Sequence, residues 1–149
     1  MMKNSRRRAR EFALQALYQW LVNESPADGL LAQLKEQKDF AKADEALAEA
    51  LLRGVVADAD ALRALLKPCL DRPVKELSPV EHALLLLAAC ELRDQVETPY
   101  RVIINEAVEL AKSFGGTDGH KYVNGVLDKL ALGLRPNEAR GPRVQAVKP

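Results

Sequence analysis

The sequence predicts an all-α bundle of about six or seven helices, and three observations point there. No stretch alternates apolar and polar residues as a half-buried strand does. Leucine, alanine and charged residues dominate and only 5% of residues are aromatic, a balance that favours helix. Apolar residues recur at i, i+3, i+4 and i+7 in several stretches, each bounded by capping residues, glycine or proline. A chain of 149 residues buries about two-thirds of its unfolded surface, so this fold needs neither metal nor disulfide.

The first helix is expected from Ser5 to Asn23. Ala9, Phe12, Ala13, Ala16, Leu17 and Trp20 form its inward stripe. At 100° per residue, Arg7, Glu11, Leu14 and Tyr18 fall opposite that stripe, with Arg8 and Gln15 on one shoulder and Arg10 on the other. Arg6 belongs to the same arginine-rich start. Tyr18, set opposite the core among arginines, suits stacking on an unpaired base. It equally suits an ordinary, partly exposed tyrosine on a solvated helix. Ser25 to Gly29 is a turn, and Leu30 to Lys38 is a short helix using Leu30, Leu31 and Leu34. Asp44 then caps a long helix to Leu66, which Pro68 ends.

Ser78-Pro79-Val80-Glu81 is a strong helix start: serine caps, proline takes the first position, and glutamate completes a capping box. The run from Ala83 to Cys90 carries no charge, so its helix is expected at the centre of the bundle. Pro99 opens the next helix, whose stripe is Ile103, Ala107, Leu110, Ala111 and Phe114. Gly115 and Gly116 break it, and Thr117 or Asp118 is expected to cap a last helix carrying Tyr122, Val123, Val126, Leu127 and Leu130. Gly125 lies inside that helix, where it costs about 1 kcal/mol relative to alanine. It is expected to let another backbone come close. From Arg135 onward the chain reads as a disordered basic tail.

Charge narrows the function. Residues 1–10 hold five cations and no acid, and residues 135–149 hold four cations and one acid; with a net charge of +1, residues 11–134 carry −7. Basic ends on an acidic body suit nucleic acid at the ends and a basic protein at the body. Cys69 and Cys90 sit in apolar surroundings and read as buried thiols of a reducing compartment. The basic start is followed by no apolar segment and no run is long enough to span a bilayer, so the expected location is cytoplasmic, with no membrane contact.

Catalytic constellations are scarce. The GGTDG segment at Gly115 lacks the strand and the lysine–serine pair of a phosphate loop. No cysteine spacing suits a metal, and Asp58 and Asp60 have no histidine or cysteine near them. His82 and His120 lie on different helices, and a base role for His120 beside Asp118 is the minor reading. Glu106 and Glu109 read as a solvated face. What remains is a binding surface joining the first helix (Arg7, Arg8, Arg10, Tyr18) to the glycine corner (Asp118, Lys121, Tyr122). The helix start at that corner offers unpaired N–H groups that suit a phosphate.

Two blocks, RRRAREFALQALYQW at Arg6–Trp20 and PYRVIINEAVELAKSFGGTDGHKYVNGVLDKL at Pro99–Leu130, closely resemble the NusB family of bacterial transcription antitermination factors. The likeness covers about residues 5–137 and is weakest over 24–75. It implies a single NusB-like RNA-binding domain over 1–137, with approximate subdomains 5–70 and 71–134; the basic tail expected over 138–149 is longer than the family needs. It implies binding of single-stranded boxA RNA of ribosomal RNA leader transcripts together with NusE, a small-subunit ribosomal protein. The assembly would include the other Nus factors and RNA polymerase, with no catalysis and no cofactor. By the family pattern Arg6, Arg7, Arg8, Arg10, Tyr18, Asp118, Lys121 and Tyr122 would face RNA. Glu81, Leu84 and Glu91 would supply part of the NusE surface. Some members of the family pair with themselves. Tyr122 stands where the family often has phenylalanine. The other reading is a helical protein-interaction adaptor without specific RNA recognition.

Overall fold

In the computed structural model, which describes residues 4–114 and 118–140, the chain forms seven α-helices and, among the described residues, no strand. They are α1 (Ser5–Asn23), α2 (Ala27–Glu36), α3 (Glu45–Leu66), α4 (Pro79–Asp94), α5 (Tyr100–Phe114), α6 (Gly119–Leu134) and the single turn α7 (Pro136–Ala139). Short 3₁₀ turns at Phe40–Lys42, Lys67–Cys69 and Val74–Glu76 join α2 to α3 and α3 to α4.

The helix starts behave as their chemistry requires. Asp44 accepts a hydrogen bond from Leu47 N–H at 3.0 Å and caps α3. Ser78 and Glu81 form the reciprocal capping box of α4. Asp118 precedes α6 but makes no side-chain cap; its carboxylate lies 3.6 Å from Lys121 instead. Gly115, Gly116 and Thr117 lie outside the described residues.

α4 is the centre of the bundle, packed by α1, α3, α5 and α6. Every residue from Ala83 to Leu92 is buried, which explains why that run excludes charge until Glu91. α1 and α2 lie with α3 on one side, α5 pairs with α6 on the other, and one continuous apolar core joins them. Phe12 meets Phe40 edge-to-face, with centroids 5.2 Å apart.

Several expectations need correction. Leu14 is buried, because α1 is enclosed by α2, α3 and α4 together rather than by one neighbour. Phe114, expected in the core, is 46% exposed. Gly125 approaches no neighbour: a Cβ there would meet nothing within 4 Å, whereas one at Gly54 would sit 2.8 Å from the Cys90 sulfur. The close approach is therefore between α3 and α4. Arg135 and Glu138 do not start or belong to a loose tail. Arg135 is buried and donates to the carbonyls of Leu92, Gln95 and Thr98, while Glu138 accepts from Tyr100 N–H. Residues 141–149 of the expected tail lie outside the described residues.

Candidate nucleic-acid interface

The arginine-rich start of α1 meets carboxylates at almost every position. Arg6 donates to the Thr98 hydroxyl at 3.0 Å and lies 3.5 Å from Asp44. Arg7 grips Glu106 of α5 through two hydrogen bonds of 2.9 Å. That guanidinium holds the Glu106 carboxyl below the ordinary carboxylate range, against the opposing effect of burial. Glu106 is thus a pairing residue, not the solvated one the sequence suggested. Arg8 is half-buried and makes no ion pair among the described residues.

Arg10 does not reach the surface. It is 4% exposed and bonds Glu91, itself 1% exposed, in a bidentate pair with Nε 2.9 Å from Oε1. Its other amino group lies 4.0 Å from Glu106. Two residues expected on opposite interfaces, Arg10 toward RNA and Glu91 toward a protein, are each other's partner inside the bundle. The reason is geometric: the shoulder of α1 that carries Arg10 is the side covered by α4. Leu84 is likewise fully buried, so neither Leu84 nor Glu91 is available to a partner. Of the three residues expected on that surface only Glu81 is partly open, with one oxygen engaged in the capping box.

The outer side of α1 forms a strip with α5. Near its start, Arg7 and Glu11 face Glu106, Glu109 and Ser113 across a shallow hollow. Further along, Tyr18 and Gln15 join Val80 and Phe114 around an apolar hollow of about 230 Å³. Tyr18 is 41% exposed. Phe114 and Val80 were not singled out as surface residues. Phe114 has the helical spacing of the core stripe; only its place at the last turn of α5 separates it. Val80 leads directly to Glu81, and a Cβ on Gly119 of α6 would lie 3.7 Å from Glu81 Oε2. The tyrosine of α1 and the start of α6 are therefore brought to one end of the molecule.

Lys121 and Tyr122 open on another side of α6. They line a hollow with Asp71, Gly125 and Lys129, to which no residue of α1 contributes. The Arg72 guanidinium covers the Tyr122 ring at 4.2 Å from its centroid. Tyr122 has a buried hydroxyl near Asp71 that makes no well-aligned hydrogen bond. Burial raises its pKa. Arg72 draws the Asp71 carboxyl below its usual value through their hydrogen bond of 2.8 Å. The expected surface is thus split into an α1–α5 strip with Tyr18 and an α6 face with Tyr122.

Among the described residues no group of histidine, cysteine and carboxylate side chains is placed to hold a metal, and no helix is long and apolar enough to cross a membrane. Cys69 and Cys90 are buried free thiols. Burial, reinforced by Asp94, pushes the Cys90 thiol up to about 12, which leaves it protonated and unreactive.

Comparison with known proteins places this architecture. The model of the NusB family matches residues 7–132. The chain is 58% identical over 142 residues to the transcription antitermination protein NusB of Paraburkholderia phytofirmans, covering 95% of this chain and 99% of that one. It is 57% identical over 143 residues to the protein of the same name in Burkholderia cenocepacia, covering 96% and 99%. Among solved structures, T. maritima NusB matches with a TM-score of 0.79 at 29% identity, over 93% of this chain and 99% of that chain. A structure of antitermination factors NusB and NusE in complex with dsRNA shares the fold, with a TM-score of 0.75 at 23% identity, over 89% and 99%. This chain belongs to the NusB family.

Proposed function

We propose that this chain is a transcription antitermination factor that binds single-stranded boxA RNA of ribosomal RNA leader transcripts jointly with the NusE ribosomal protein. It acts by binding, without catalysis, in a cytoplasmic complex with the other Nus factors and RNA polymerase. The observation that carries the reading is the exposed Tyr18–Phe114 pair beside Val80, Glu81 and the start of α6. It is an exposed aromatic platform at the end of the molecule where α1, α4, α5 and the start of α6 come together. Aromatic rings stack on unpaired bases regardless of their pairing edges, and neighbouring arginines neutralise phosphates. Arg7, Arg8, Lys121 and Tyr122 remain available in this role, with Asp118 beside Lys121. Arg6 contributes through a side chain that is 42% exposed. Glu81 is the residue of α4 left for a basic partner.

A second reading has an observation of its own. Arg6, Arg7 and Arg10 already face carboxylates, as expected if the basic helix serves to hold the bundle and the surface serves protein contacts alone. Fluorescence anisotropy of labelled boxA-type RNA against a scrambled RNA, with and without NusE and at two salt concentrations, separates the two. Antitermination requires preference for boxA, tightening by NusE, and a shallower salt slope when Arg7 and Arg8 become alanine. Equal binding of both RNAs gives the adaptor the lead. Sedimentation of the protein without partners reports self-pairing.

A further inference from the structure

Two arginine–tyrosine stacks flank the outer face of α6, one of Arg72, from the α3–α4 connection, on Tyr122 of α6, the other of Arg101 on Tyr100, both from α5. At one end the Arg72 guanidinium lies 4.2 Å from the Tyr122 ring centroid, and at the other Arg101 lies 5.3 Å from that of Tyr100. Lys129 stands between them. It lines both the hollow with Tyr122 and a second hollow of about 300 Å³ with Tyr100 and Arg101. It is exposed and makes no ion pair among the described residues. The carboxylates on this face are mostly occupied: Asp71 by Arg72, Asp118 by Lys121, Glu138 by Arg135. Asp128 makes no ion pair among the described residues.

The floor of the first hollow is Gly125. Glycine weakens a helix interior relative to alanine, and no packing among the described residues accounts for it, since a Cβ there would meet nothing within 4 Å. A glycine that none of the described residues covers leaves the helix backbone open to a ligand that comes close. Cations alternating with aromatic rings along one face are the chemistry of single-stranded nucleic acid: charge for the phosphates, rings for the bases. The face begins at Lys121 and Tyr122, the α6 part of the expected surface, and no residue of α1 lines it. Along the helix axis Lys121 and Leu132 are about 16 Å apart.

We propose that single-stranded RNA leaving the corner at Lys121 continues along this face. Its sugar–phosphate backbone passes over Gly125 and Lys129, and Arg72 and Arg101 with their tyrosines receive the flanking phosphates and bases. The inference rests on the RNA-binding reading and adds to it a track with named contacts.

The test compares a boxA-type RNA with the same RNA lengthened by several unpaired nucleotides at the 5′ or the 3′ end, in anisotropy titrations across a salt series. With the wild-type protein one extension is expected to tighten binding several-fold. In Lys129→Ala that gain should shrink, and the log–log salt slope for the extended RNA should fall by about 0.7, the value of one phosphate contact on a single strand. Gly125→Val, which roofs the floor with a side chain, should remove most of the gain; Gly125→Ala should lessen it while raising the thermal midpoint. If neither extension tightens binding, or if the gain and slope survive Lys129→Ala and Gly125→Val together, the track does not exist and this face serves another purpose, such as protein contact. If the wild type shows no preference for the short boxA RNA, the RNA-binding reading itself fails, and the track with it.

Discussion

Arg10 shows how far one side chain departs from what its neighbours suggest. It stands in a run of four arginines within five positions, yet it is buried against Glu91 with full bidentate geometry. Nothing in the run distinguishes it except its phase on the helix, and the phase is informative only once α4 is known to lie on that shoulder. Breaking a buried pair from one side leaves a desolvated charge, at a cost of about 3–5 kcal/mol. Arg10→Ala is therefore expected to lower the urea midpoint strongly, while the RNA affinity of the protein that remains folded stays close to wild type. Arg8→Ala should do the reverse. If Arg10→Ala instead weakens RNA binding with an unchanged midpoint, the side chain works outside the bundle. His82 offers a pH handle at the same scale. It is half-buried and accepts a hydrogen bond from Arg63 Nε at 3.1 Å, and burial together with that cation lowers its pKa to about 4. The unfolded chain binds the proton first, near pH 6.5. Stability from this group is full above that pH and is lost as pH falls toward 4, by on the order of 2–3 kcal/mol. His82→Gln keeps a neutral acceptor for Arg63 and should flatten stability between pH 6.5 and 4.5 in urea titrations. An undiminished slope would assign the pH dependence to other groups; Glu106 is not among them, because its stabilisation is full above its unfolded range and is lost only as pH falls below it.

At the scale of the helix the two informative glycines exchange roles with their appearance in the sequence. Gly125 sits between Asn124 and Val126 in a well-marked helix and looks like a contact point; a Cβ there would meet nothing within 4 Å among the described residues. Gly54 sits in the middle of α3 with no special surroundings in sequence, and it is where α4 comes nearest, at the Cys90 sulfur. Periodicity tells which face of a helix is buried, but not how close the neighbour on that face lies, because the distance depends on the side chain opposite. Gly54→Ala is expected to destabilise by about 1–3 kcal/mol through overpacking, since Cys90 is buried and short and has little room to turn. Cys90→Ala removes the obstructing sulfur. The double variant should therefore be more stable than the two single effects added together, as a thermodynamic cycle by chemical denaturation will show; simple additivity would mean that the two residues do not compete for space. Gly125→Ala should stabilise by up to about 1 kcal/mol. By contrast, the capping box at Ser78, the Asp44 cap and the charge-free run of α4 were all legible, because each depends on neighbours three or four positions away in the chain.

For the whole molecule the same distinction holds. The helices and the central place of α4 follow from local pattern and composition. Contacts that join distant parts of the chain do not, and the C-terminal segment is the clearest case. Arg135, Pro136 and Glu138 have the composition of a tail, yet Arg135 reaches back to the carbonyls of Leu92, Gln95 and Thr98 at 2.8, 2.9 and 3.0 Å. Those carbonyls lie at the end of α4 and in the following loop, where helix geometry leaves acceptors without partners and where a cation is favoured by the helix dipole. Glu138 completes the clip. One carboxylate oxygen accepts from Arg135 at 2.6 Å and the other from the N–H of Tyr100 at 3.0 Å, at the first turn of α5. Arg135 and Glu138 thus fix the turn between α4 and α5, which carry Val80 and Phe114 at their far ends. Arg135→Ala strips three carbonyls of their donor and is expected to cost about 1–3 kcal/mol. Glu138→Ala alone should cost less. Because the two side chains act on the same turn, the loss in the double variant should fall short of the sum of the single losses. Amide exchange at Tyr100 should rise in Glu138→Ala, whose acceptor for that N–H is gone. Protection of Tyr100 that is unchanged by the substitution would place the control of the turn in Arg135 alone.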